Sequence, residues 1–139
     1  MKEKIKQTLS YAITIALIFL LIYCMVGLWG QKKTGTLFFP FGYRPVVILS
    51  GSMEETLHTG AVVLVKKTKK VEDNDIIFFF SSDGVPVIHR CVKVLENQNY
   101  ITKGDANANA DFETISTDQV QGKVIYIMNW TAPILNFGT

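Results

Sequence analysis

The chain has 139 residues, 48% of them hydrophobic, and a formal net charge of +2. That length holds one anchor and one small domain but not two full domains. The small charge gives no nucleic-acid footprint, and no P-loop, dinucleotide-binding turn or zinc cluster is written in the sequence.

The first element is an apolar run from Tyr11 to Trp29 without a charged residue. As a helix at about 1.5 Å per residue it spans roughly 28 Å, close to one bilayer core. Tyr11, Tyr23 and Trp29 suit interfacial positions. The run exceeds the core of a cleaved signal peptide and ends in Leu28-Trp29-Gly30-Gln31-Lys32-Lys33 rather than a small-x-small site. An uncleaved transmembrane anchor over residues 11–30 is therefore expected. Lys2, Lys4 and Lys6 precede it, opposed by Glu3 alone, while Lys32 and Lys33 follow. The balance leans towards a cytoplasmic N-terminus (residues 1–10), with the rest of the chain outside the cytoplasm.

From Thr36 onward, short runs rich in Val, Ile and Phe alternate with Gly, Asn, Asp and Ser breaks. Strands are expected over Val46–Leu49, Ala61–Lys66, Asp75–Phe80, Val85–Leu95, Tyr100–Lys103 and Lys123–Met128. No stretch after the anchor keeps a helical apolar period. The expectation is a mainly β fold, with a small antiparallel, barrel-like domain over residues 36–139. The run Phe78-Phe79-Phe80 lacks alternation, as buried strands do; an apolar edge dipping into a bilayer is the other reading. Lys66, Lys67, Lys69 and Lys70 read as a solvated strand end before a headgroup-binding patch.

The chemistry begins at Ser50-Gly51-Ser52, where a strand meets a turn. Such a turn can expose a hydroxyl beside backbone amides, as an acyl-transfer nucleophile requires, although the same tripeptide is an ordinary turn. Two histidines could serve as base. His58 lies in a surface turn, whereas His89 shares a strand face with Val87 and Cys91, and Arg90 points the opposite way. The polar loop after Tyr100–Lys103 supplies carboxylates Asp105 and Asp111 to orient an imidazole. It lacks the spacing of an EF-hand calcium loop. Cys24, in the apolar run, and Cys91, in the soluble part, are not expected to pair. Cys91 as nucleophile is the weaker alternative, because strand residues two apart do not meet in proton-transfer geometry.

Taken in this order after one anchor, these segments resemble type I signal peptidases. Ser50-Gly51-Ser52-Met53-Glu54-Glu55-Thr56-Leu57 is similar to the family box S-G-S-M-x-P-T-L, and Asp75-Ile76-Ile77-Phe78 to G-D-I-I-x-F. His89-Arg90 resembles the endoplasmic-reticulum and archaeal sort, which has His-Arg where the other sort has Lys-Arg. The segment Thr102-Lys103-Gly104-Asp105 continues the match. The resemblance implies Ser52 as nucleophile, His89 as base, Asp111 as the orienting carboxylate, and Ser50 and Asp105 in support. It implies cleavage of exported preproteins after small residues at the −1 and −3 positions, with no cofactor and no metal. Signal peptides and the lipid bilayer are the implied partners, the secretion translocon a further candidate, and the cell membrane the location.

The departures are Glu55 for the usual Pro, Asn74 where Gly precedes Asp75, and Ala106 for an Asn. The chain stops at Asn136-Phe137-Gly138-Thr139, whereas many relatives carry a second membrane segment, so it lacks that segment or is truncated. Glu55 and this short end motivate a rival reading, a catalytically silent anchored module that binds signal peptides. A self-cleaving repressor-type protease is disfavoured, since no Ala-Gly pair precedes the nucleophile box and those proteins use a lysine base.

Overall fold

The apolar run belongs to a helix that continues well beyond it. Residues before Tyr11 are good helix formers, and Glu3 pairs with Lys6 one turn on, at 3.7 Å. Thr8 and Thr14 return their hydroxyls to the carbonyls of Lys4 and Ser10. In the computed structural model, which describes residues 2–34 and 37–135, helix α1 runs Lys2–Thr34. Its stretch Glu3–Lys32 is long and apolar enough to cross a membrane, and its apolar side chains lie exposed. After the helix, Phe38 donates its amide to Gln31 Oε1 at 2.8 Å, and its ring sits 5.5 Å from that of Tyr23. The Phe38 ring covers Gly27, where a Cβ would come within 2.1 Å of it. The chain divides into two compact units, Met1–Pro40 and Phe41–Thr139. The terminal segment Asn136–Thr139 and residues 35 and 36 lie outside the described residues.

The second unit is one antiparallel sheet. Its strands are β1 (Tyr43–Val47), β2 (Val62–Lys66), β3 (Ile76–Phe80), β4 (Pro86–Val94), β5 (Tyr100–Lys103) and β6 (Val120–Met128). The spatial order is β1-β2-β6-β3-β4-β5, which leaves β1 and β5 as edges. The mainly β, antiparallel expectation therefore holds, but the sheet does not close into a barrel. Pro45 sits on edge strand β1, where a missing amide donor is tolerated. The expected strand Val46–Leu49 is shifted: β1 starts at Tyr43, and Ile48 continues the pairing through its amide to the Ala61 carbonyl and its own carbonyl to Gly60 N. Strand β6 begins three residues before the expected Lys123, with Gly122 paired to Phe78 in the ladder. A Cβ there would lie 2.3 Å from the Lys66 carbonyl oxygen.

One face of β3, β4 and β5 holds a core of Val71, Ile77, Phe79, Cys91, Tyr100, Ile115 and Val120. Phe78 and Phe79 are buried and Phe80 is half-buried, so the aromatic run serves the sheet on both faces. The lysine cluster is partly structural: Lys69 Nζ donates to the carbonyls of Thr117, Asp118 and Val120, and Lys70 pairs with Glu72.

Candidate active site

Ser52 lies in a 3-10 turn, Gly51–Met53, that follows β1. Met53 and Leu57 anchor the turn in the core, at 1% and 0% exposure, and Leu57 N donates to the Met53 carbonyl at 2.8 Å. The serine hydroxyl is thereby fixed at the sheet's rim. Strand β4 delivers His89 to the same place. Its register sets His89 opposite Ile77, so the imidazole leans inward and meets Phe79 edge-on, at 6.5 Å between ring centres. Only 11% of the His89 side chain is exposed.

His89 Nε2 lies 3.1 Å from Ser52 Oγ, and His89 Nδ1 lies 2.7 Å from Asp111 Oδ2. A carboxylate oxygen only accepts, so Nδ1–H donates to Asp111 and Nε2 is left to accept the Ser52 proton. Asp111 is itself held by β5, since its amide donates to the Thr102 carbonyl and its Oδ2 accepts from Thr102 Oγ1 at 2.6 Å. Ser50 Oγ stands 3.3 Å from Ser52 Oγ. The structure thus brings Ser52, His89, Asp111 and Ser50 together.

Asp105 stands apart from the imidazole and binds Arg90, the residue on the opposite face of β4. Arg90 Nε and Nη2 donate to the two Asp105 oxygens at 2.8 and 2.6 Å, and Arg90 Nη1 to the Asn74 carbonyl at 3.0 Å. Thr56 Oγ1 adds a third bond, 2.6 Å to Asp105 Oδ2. These donors hold the Asp105 carboxyl below its ordinary value, the Arg90 bond contributing most, and the same contact raises the Arg90 guanidinium. Asp105 therefore ties the Ser52 loop to β4 and to the loop carrying Asp111. Gly104 completes the junction. A Cβ on it would lie 2.5 Å from the Ser52 carbonyl oxygen, which accepts from Ala106 N at 3.0 Å.

His58 is half exposed and 3.0 Å from Glu54 Oε2, away from Ser52's partners. With His58 and the amide and hydroxyl of Thr59 as donors, the Glu54 carboxyl is lowered to about 2. Cys91 is fully buried in the core cluster, and burial pushes its thiol up, which opposes a nucleophilic thiolate. Sequence reasoning did not reach Thr102 or Thr56. For Thr102 the available signal was a hydroxyl on the same strand face as Tyr100, one strand from His89.

A serine, an imidazole and a carboxylate stand in one hydrogen-bonded line at a sheet rim, the geometry that a triad-type acyl-transfer site requires. The comparisons make the class of site specific. The family model for signal peptidase, peptidase S26, matches residues 7–95. The chain belongs to that family. It is 31% identical over 126 residues to signal peptidase I W of Bacillus subtilis (strain 168), covering 86% of this chain and 65% of that protein. It is 36% identical over 84 residues to the human protein named SEC11B, covering 54% of this chain and 49% of that one. Against human signal peptidase complex catalytic subunit SEC11C it is 35% identical over 69 residues, 45% of this chain and 36% of that one. The chain spans less than two thirds of the length of each of these relatives.

Proposed function

We propose that this protein is a membrane-bound serine endopeptidase that removes signal peptides from exported preproteins after small residues at the −1 and −3 positions. One observation supports the reading above all: the unbroken line from Ser52 through His89 to Asp111 in a member of the signal peptidase family. Ser52 Oγ attacks the scissile carbonyl while His89 Nε2 takes its proton and later delivers it to the leaving amine. Asp111 fixes the tautomer that leaves Nε2 free to accept. The Ser52 amide and the Ser50 hydroxyl face the developing oxyanion, each such donor contributing about 3 kcal/mol. Asp105, clamped by Arg90, supports the loops that hold these groups.

The substrate binds extended, as an added strand along the open edge of β1, which leads into the Ser50–Ser52 turn. Helix α1 anchors the chain in the cell membrane, with residues 1–10 in the cytoplasm and the β unit outside, following the lysines that precede the apolar run. Its partners are the signal peptides, the bilayer and, as a candidate, the secretion translocon.

The decisive experiment co-expresses the chain with a preprotein carrying an A-x-A signal and weighs the mature product. The parent is expected to release it and Ser52→Ala to release none. Asp111→Asn is expected to lower kcat by about 10³ to 10⁴. A folded, inserted parent that leaves the preprotein whole overturns the reading in favour of a silent binding module.

A further inference from the structure

Thr102 holds Asp111 through hydrogen bonds of both its main chain and its side chain. It is fully buried on β5, directly opposite Cys91 of β4. Residues two apart on a strand share a face, so the side chain across from Cys91 lies on the face that carries His89. Its Oγ1 lies 2.6 Å from Asp111 Oδ2, the same oxygen that receives His89 Nδ1 at 2.7 Å. Its carbonyl accepts the Asp111 amide at 2.8 Å. A carboxylate attached to its own loop by one backbone bond could rotate about its side-chain torsions. Two donors converging on one oxygen leave it a single orientation.

We propose that Thr102 is a positioning residue of the Ser52 site, its hydroxyl fixing the Asp111 carboxylate so that Oδ2 stays aimed at His89 Nδ1. This rests on the proposed protease function. Thr102 touches no reacting atom and works only through Asp111. The hydroxyl is spent as a donor to a charged acceptor, the stronger kind of hydrogen bond, and the Thr102 side chain that makes it is itself fully buried. Valine has the same shape and no donor. Serine keeps the donor.

The test compares Thr102→Val and Thr102→Ser with the full-length parent in detergent, at a temperature well below each variant's Tm. Thr102→Val is expected to lose kcat by about 10- to 100-fold, the range for a hydrogen bond to a charged group, with KM nearly unchanged. Thr102→Ser is expected to recover most of it. In an Asp111→Asn background, Thr102→Val is expected to cost little more, since the hydroxyl then has no carboxylate to hold. A role confined to folding would lower Tm and leave kcat per folded molecule intact, and that result overturns the proposal. A second readout does not depend on cleavage: the His89 Nδ1 proton, followed by NMR on chain with labelled histidine. It is expected to be sharp and protected in the parent and in Thr102→Ser, and broadened or shifted in Thr102→Val. An identical signal in Thr102→Val, or none in the parent, overturns the positioning role even if the parent proves not to cut preproteins. Failure of cleavage by the parent alone counts against the protease reading instead.

Discussion

At the scale of single residues, two departures from the family pattern have a backbone explanation. Asn74 and Glu55 both have φ of +74°, in the left-handed region. Asparagine is among the few side chains that tolerate that region, which is why it can stand where relatives have glycine. Glu55 stands where relatives have proline, and proline locks φ near −65°. From the sequence, Glu55 reads as a residue that loosens the turn. The structure gives Glu55 a positive φ, which proline does not fit. Restoring the family residue is thus expected to harm this protein. Glu55→Pro should lower stability by at least about 1–3 kcal/mol, whereas Glu55→Gly should raise it by up to about 1 kcal/mol. Urea midpoints for the two variants, moving in opposite directions, would check this; a gain from proline would contradict it. Asp105 supports a prediction in pH. Its carboxyl is lowered in the folded state, with Arg90 as the main cause, from an ordinary value of 3.8. The folded protein therefore takes up that proton at lower pH than the unfolded chain. The stabilisation is complete above the ordinary carboxylate range and is lost as pH falls below it. Asp105→Asn should cost about 1–3 kcal/mol at pH 7, and the gap in Tm from the parent should narrow below about pH 4.

The elements that build the site are two short loops and two strands, and the two loops meet closely where Gly104 carries no side chain. Gly104 comes so close to the Ser52 carbonyl that a methyl group would sit 2.5 Å from it, against backbone that has little room to yield. Gly104→Ala is expected to push the Asp111 loop off the Ser52 turn. We expect a stability loss of about 1–3 kcal/mol and a kcat loss of tenfold or more, since small misplacements of catalytic groups are costly. Denaturation and cleavage assays on one preparation would separate the two effects. Much of this was legible in advance. The runs of Val, Ile and Phe gave six strands with mostly correct limits, and Tyr100–Lys103 matches to the residue, because period-2 burial is local. The start of β6 lies three residues before the expected Lys123, since a strand glycine that admits a neighbouring carbonyl gives no burial pattern to read. Strand order is not local either. The placement of β6 between β2 and β3, which leaves the sheet open, came only from the structure. Ser52, His89, Asp105 and Asp111 were singled out by motif. The resemblance also named Asp111 as the carboxylate that orients the imidazole, but it gave no partner for Asp105, because the Arg90 and Thr56 side chains that hold it come from a strand and a turn whose approach to the loop spacing does not encode.

For the molecule as a whole, the anchor and the β unit do different physical jobs. Each is a compact unit by its own contacts, and every atom of the Ser52–His89–Asp111 line and its Thr102, Arg90 and Asp105 supports lies within residues 41–139. Chemistry therefore should not require α1. Under the proposed function, what α1 offers is location. A preprotein held in the same bilayer meets an anchored enzyme at an effective concentration set by two dimensions and a short connection, on the order of millimolar for flexible links of that kind. Removing residues 1–40 is then expected to divide the two activities. Cleavage of a soluble peptide spanning an A-x-A site should stay within a few-fold of the parent's, provided the fragment shows the parent's β signature in circular dichroism. Cleavage of a preprotein inserted in vesicles should fall by about 10²-fold or more, in keeping with the gain that linkage gives. Equal loss on both substrates by a folded fragment would mean that α1 shapes the site itself. Equal retention on both would mean that the substrate's own membrane segment, rather than the enzyme's, governs the encounter.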